Sequence, residues 1–161
     1  MVMNEQVPHK VKKGSIQVPD RLRELNETEF FAVLATDDNG RPYTSLVAYA
    51  ITPDLKKVIF TTPKGTRKYK NILNSKHVAL LIDNRPKQNK NVMSTEALTI
   101  TGTAQPVKRG KTRKEFEQIF LEKHPDFEDF VKSATTAIIT VDITQCIHVG
   151  EFQTITVWDC C

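Results

Sequence analysis

The sequence predicts a mainly β (α+β) protein: a small closed antiparallel barrel with helical insertions. Three observations lead there. Six or seven short apolar segments, several rich in β-branched residues, are bounded by turn signals. The first three follow one another at hairpin distance, as in a meander. Two or three helical interruptions are present, but the strand-helix alternation of a doubly wound sheet is not.

Taken in order, Pro19 to Glu29 reads as a short helix, with a proline at its start and Leu22, Leu25 and Phe30 on its apolar side. The strand "FFAVLAT", 30 to 36, runs into Asp37-Asp38-Asn39-Gly40, whose Asn-Gly suits a two-residue hairpin because both positions tolerate positive φ. "RPYTSLVAYAI", 41 to 51, is the returning strand, and "KKVIFTT" follows after the Thr52-Pro53-Asp54 turn. A helix at about 66 to 75 places Tyr69, Ile72 and Leu73 on one face, and "HVALLID" is the next strand. Residues 85 to 94 are polar and read as a mobile loop. "EALTITGTAQPV", 96 to 107, alternates and carries Gly102, the mark of a bulge or a close backbone approach. Lys111 to Lys132 is helical, with Phe116, Ile119, Phe120, Phe127, Phe130 and Val131 as core, and is divided at His124-Pro125 because proline cannot continue a helix. "TTAIITVDITQCIHV" and "TITVW" close the chain as strands.

At 161 residues, with 39% hydrophobic and 26% charged side chains, the chain has the composition of a single globular domain, 1–161, with residues 1–18 as a flexible arm. No apolar run reaches the length of about 18 residues that a membrane helix needs. The polar, basic start is not a secretory signal, which points to the cytoplasm, and three cysteines without framework spacing suit a reducing compartment. Other motifs lapse on inspection. Gly110-Lys111-Thr112 resembles the tail of a phosphate loop, but Gln105 stands where its first glycine belongs. His9, His77, His124 and His148 have no metal spacing, Cys146 has no basic partner nearby in sequence, and no nucleophile elbow is present.

The distinctive feature is charge. From Asp54 to Asp83 there is no intervening acid, while Lys56, Lys57, Lys64, Arg67, Lys68, Lys70 and Lys76 all fall between them. Several crowd the start of a helix, where the macrodipole favours anions and a cation costs about 0.3–1 kcal/mol. A solvated basic face is one account; an anion ligand is the other. In the second, Thr66 caps the helix and Gly65 lets the chain turn sharply. The first-turn amides, Arg67 and Lys68 then face a phosphate, with Thr61 and Thr62 adding hydroxyls.

"DNGRPYTSLV", "VIFTTPKGTRKYKNI", "HVALLID" and "ALTITGTAQ", in that order, give the run from Asp38 to Val107 a pattern that resembles the pyridoxamine 5'-phosphate oxidase-like, FMN-binding split-barrel family. The resemblance implies a six-stranded antiparallel split β-barrel with helical insertions, forming a homodimer with FMN in clefts between subunits. It implies that Arg67 and Lys68 hold the flavin phosphate, that Thr61 and Thr62 lie along the ribityl chain and ring, and that Thr44, Ser45, Leu46 and Val47 approach the isoalloxazine. It also implies an oxidoreductase acting on a small molecule or electron carrier that the sequence does not name. Ser45 and Ala50 replace strand cations of the true vitamin B6 oxidases, Ala97 replaces a glutamine, and "GEFQTITVWDCC" lacks their phosphate-gripping arginine and histidine. Oxidation of pyridoxamine phosphate is therefore not expected.

The deazaflavin F420 would fit the same basic patch, and a non-catalytic flavin or haem carrier or sensor is the alternative from another class. An empty site is a third. Against nucleic acid stands the lack of aromatics interleaved with the cations, Tyr69 being the single one in the patch. Trp158 reads as packing, with stacking on a partner's flavin the weaker reading.

Overall fold

The structure, a computed structural model, describes residues 10–11, 16–85, 94–150 and 154–160. Its strands are β1 (Lys10–Val11), β2 (Phe31–Asp38), β3 (Arg41–Ile51), β4 (Lys57–Pro63), β5 (His77–Asp83), β6 (Ala97–Pro106), β7 (Thr136–Gly150) and β8 (Thr154–Asp159). Its helices are α1 (Val18–Thr28), α2 (Arg67–Asn74), α3 (Lys111–Lys123) and α4 (Glu128–Lys132), the last two joined by a 3-10 turn at Pro125–Phe127.

The strand order β7-β4-β3-β2-β5-β6 closes on itself through the β6–β7 pairing, giving a six-stranded antiparallel barrel. Two further strands extend it: β8 runs antiparallel to β7, and β1 pairs in parallel with β8. Most of the expected arm lies outside the described residues, Lys10–Val11 of it pairing with β8, and the helix begins at Val18; most of the expected loop at 85–94 also lies outside the described residues. Long β7 serves both neighbours in turn, β4 over Thr136–Asp142 and β8 over Gln145–Gly150. The ladder shifts register between Thr101 and Gly102. A Cβ on Gly102 would stand 2.1 Å from the Asp142 carbonyl oxygen, so the close approach requires glycine.

Alternation along each strand sorts side chains to two cores. Inward-facing Leu34, Val47, Tyr49, Phe60, Leu80, Leu98, Ile100, Ile139 and Val141 fill the barrel, and Val18, Leu22 and Leu25 of α1 complete that core. Outward-facing Ala50, Ile59 and Ile138 are covered by Phe120 and Val131 of α3 and α4, with Phe116, Ile119 and Phe127 packed alongside. Phe30 belongs to neither: α1 ends at Thr28, leaving it 49% exposed. Trp158 packs against the barrel's own core.

The barrel is split. β3 and β4 pair over Tyr49–Ile51 and Val58–Phe60, and then part. From Arg41 to Ala48, β3 keeps β2 as its neighbour, whereas Thr61–Pro63 of β4 stays on β7. The opening between them is where α2 begins.

Candidate functional site

The start of α2 is built as the sequence suggests, with one difference. Thr66 is extended and caps the helix, its hydroxyl accepting from the Tyr69 amide at 3.4 Å. The first intrahelical bond is Lys70 N–H to the Thr66 carbonyl at 3.3 Å, so the Arg67 and Lys68 amides precede the helix ladder and point outward. No acid lies in the first turn. The chain does turn tightly at Gly65, the Thr66 amide donating to the Pro63 carbonyl at 3.1 Å, but the turn uses no positive φ and a Cβ there would meet nothing within 4 Å, so what glycine adds is open space beside the amides.

The four cations differ. Arg67 donates from Nη2 and Nε to Asp38 Oδ2, at 2.7 and 3.2 Å, with its guanidinium carbon 5.3 Å from the Tyr43 ring centre. Sequence reasoning missed Asp38, because its carboxylate comes from the β2–β3 hairpin, 29 residues away. Lys68 is half-buried, yet among the described residues neither it nor Lys64 or Lys70 has an ion-pair partner. The loop before the helix is fixed by the Lys64 amide donating to the Thr135 carbonyl at 2.8 Å.

Strand alternation separates residues that are neighbours in sequence. Thr62 faces inward, is 1% exposed, and its hydroxyl is engaged with that of Thr66 at 2.8 Å. Thr61 faces the other way, so the two hydroxyls do not share one mouth as expected. On β3, Thr44 and Leu46 project from the outer face while Ser45 and Val47 turn into the barrel. The Ser45 hydroxyl is buried without a hydrogen-bond partner. Ser45 and Val47 can thus meet an exterior ligand through backbone alone. Leu73 likewise leaves the face assigned to it: it is 58% exposed, while Asn71 and Ile72 are buried. Asn71 donates to the Thr36 hydroxyl at 3.0 Å, pinning α2 to β2.

The outer face of β2 and β3 is unusually apolar for a solvated surface. Leu46 is 65% exposed and Phe31 55% exposed, with Val33 paired opposite Leu46. A groove of about 700 Å³ continues across β5 and β6, lined by Ala35, Pro42, His77, Ala79 and Thr101 among others.

The strongly shifted titratable groups lie away from α2. Burial pushes the Lys123 amine down to about 7. Its Nζ sits 3.7 Å from the Tyr49 ring centre and donates to the Glu29 carbonyl at 2.8 Å and to Asn26 Oδ1 at 3.2 Å, contacts that favour the cation and hold α3 to α1. Burial raises the Tyr49 phenol and takes the Cys146 thiol up to about 12, so that cysteine is inert. At the far end, His148, 1% exposed, contacts Glu96 Oε2 through Nε2 at 2.8 Å. Glu96 is gripped by the Arg21 fork and accepts from Asn84 Nδ2 at 3.3 Å. Burial first, then the Arg21 charge, holds the imidazole below its ordinary value. These are structural knots. Among the described residues no three metal-ligating side chains converge, and no helix is long and apolar enough to cross a membrane.

A six-stranded antiparallel barrel, split beside a capped helix start with lysines that have no ion-pair partner among the described residues, defines a split-barrel protein. The chain belongs to the pyridoxamine 5'-phosphate oxidase family, whose model matches residues 18–150. No curated protein matches it. Among solved structures it is similar to a haem-binding protein from Mycobacterium smegmatis, at 12% identity and a TM-score of 0.79 over 91% of this chain and 59% of that one. It is also similar to a putative pyridoxamine 5'-phosphate oxidase from Listeria innocua, at 17% identity and a TM-score of 0.62 over 81% and 96% of the two chains. An FAD-binding protein from Mesorhizobium loti is 14% identical, with a TM-score of 0.64 over 83% and 94%. At these identities the likeness is one of fold. The chain spans about 59% of the length of the mycobacterial protein.

Proposed function

We propose that the protein binds FMN at the split and works as a flavin-dependent oxidoreductase on a small molecule or electron carrier. The carrying observation is the start of α2. Two orphan amides, a half-buried Lys68 without a counter-ion and the open space at Gly65 form a site that a phosphate completes. Lys68 and the amides hold the phosphate, Arg67 adds its free edge, and Thr61, with the outer face of β3 at Thr44 and Leu46, flanks the rest of the ligand. The β3 backbone from Arg41 to Ala48 lacks a β4 partner and supplies donors and acceptors for polar atoms of a ring. When bound, the flavin supplies the electron or hydride transfer; the protein's part is binding, orientation and exclusion of water. The apolar outer face of β2 and β3 is proposed as the homodimer contact, which places each site against the partner subunit and shields it from solvent.

A non-catalytic haem carrier is the second reading. It is favoured by His77, an exposed imidazole bordering the apolar groove, whereas His124 and His148 are buried. The visible spectrum of freshly purified protein, with mass spectrometry of the released compound, separates the two. FMN or uptake of added FMN supports the flavin reading, F420 replaces the cofactor, and a Soret band supports haem. A colourless protein that ignores both ligands contradicts each.

A further inference from the structure

Arg67 is the cation of the α2 start that already holds an anion. Both of its hydrogen bonds go to one oxygen, Asp38 Oδ2, so the far edge of the guanidinium has no hydrogen-bond partner among the described residues. Asp38 ends β2 and is carried on a stiff turn. Asn39 and Gly40 have φ of 51° and 85°, and the Gly40 amide donates to Asp37 Oδ1 at 2.6 Å. The hairpin thus presents a carboxylate to the helix start, with the Asp38 side chain 25% exposed and that of Arg67 62% exposed. A pair this open contributes little to folding, so stability is a poor reason for it. Its effect on an incoming phosphate is larger, because a second anion must share the same guanidinium.

We propose that Asp38 is a specificity-determining residue of the phosphate subsite, an internal competitor that occupies Arg67 in the free protein and lowers affinity for a doubly charged phosphate monoester. Neutral ligands of the same ring system are not penalised. Ligand exchange is the consequence: the helix start attracts the phosphate, and Asp38 keeps it from binding irreversibly. The inference rests on the flavin-phosphate reading above.

The test is titration of FMN and of riboflavin into wild-type protein, D38N and D38A, with circular dichroism to verify the fold. D38N keeps an oxygen that accepts from Arg67 and removes the charge. One charge about 6 Å from a phosphate dianion in a water-like dielectric amounts to about tenfold. D38N and D38A are expected to bind FMN about tenfold more tightly than wild type, with riboflavin affinity unchanged. Equal FMN affinity in folded variants overturns the proposal and leaves the flavin reading standing. Weaker binding by D38N also overturns it, since Asp38 would then be positioning Arg67 for the ligand. If neither wild type nor variant binds FMN, the flavin reading and this inference fall together.

Discussion

Replacing Lys68 with glutamine separates the two accounts of the basic helix start, because only a phosphate site couples a gain in ligand-free stability to a loss of FMN affinity. Lys68 lies in the first turn of α2, where no acid offsets it. A cation there costs about 0.3–1 kcal/mol against the macrodipole. Glutamine keeps most of the aliphatic stem and removes the charge, so ligand-free K68Q is expected to gain about 0.3–1 kcal/mol. For a domain of this size that is roughly 1–3 °C in Tm. The same change removes a charge-assisted hydrogen bond to the phosphate, about 1.5–3 kcal/mol, or roughly 10- to 100-fold in FMN affinity. R67Q is the contrast: it loses the Asp38 contact together with the charge, so its ligand-free stability should stay within about 0.5 kcal/mol of wild type. Urea unfolding at fixed protein concentration and FMN fluorescence titration measure the two quantities. A less stable K68Q with unaltered FMN affinity would refute the reasoning and make Lys68 part of an ordinary solvated face.

Three further outcomes follow from the rest of the molecule. E96A leaves the buried Nε2–H of His148 unpaired and takes from Arg21 the carboxylate its fork grips, leaving it only Glu24, which should cost about 2–4 kcal/mol in urea unfolding; a loss below about 0.5 kcal/mol would mean the knot is not structural. His124 and His148 are both held below the ordinary imidazole value of 6.5, chiefly by burial, so the native state binds fewer protons than the unfolded chain. Their stabilising contribution is present above about pH 6.5 and is lost as pH falls from there through the lower folded values. Stability that does not change between about pH 7.5 and 5.5 would contradict this, and H148Q should flatten the slope. The proposed homodimer predicts that light scattering reports dimers for wild type and, since L46D sets a charge on the apolar face of β3, monomers of a folded chain for that variant; a dimeric L46D would place the contact elsewhere, and a monomeric wild type would remove it.

How far the sequence reaches depends on the range of each interaction. Turn chemistry is local, so the Asn39-Gly40 hairpin, the Gly102 irregularity and the division at His124-Pro125 were all legible. Barrel closure was legible as a class, from antiparallel strands without crossover helices, although the pairings of β1 and β8 carry no local signal. The cap at Thr66 and the exposed cations could be read from spacing. The partner of Arg67 could not, because an ion pair across 29 residues depends on how the hairpin meets the helix. Strand parity decides the remainder. Position in the sequence groups adjacent Thr61 and Thr62, and adjacent Ser45 and Leu46, yet consecutive residues of a strand face opposite sides, and inside or outside is settled by the closed barrel.

The comparison of FMN with riboflavin addresses the central claim most directly, because the two differ by the phosphate alone. If the α2 start reads that group, wild-type protein binds FMN at least about 100-fold more tightly than riboflavin, as two charge-assisted contacts imply. The advantage should shrink as salt rises and nearly vanish in the R67A/K68A double variant. Equal affinity for the two flavins in wild-type protein, at low and high salt alike, would contradict the account.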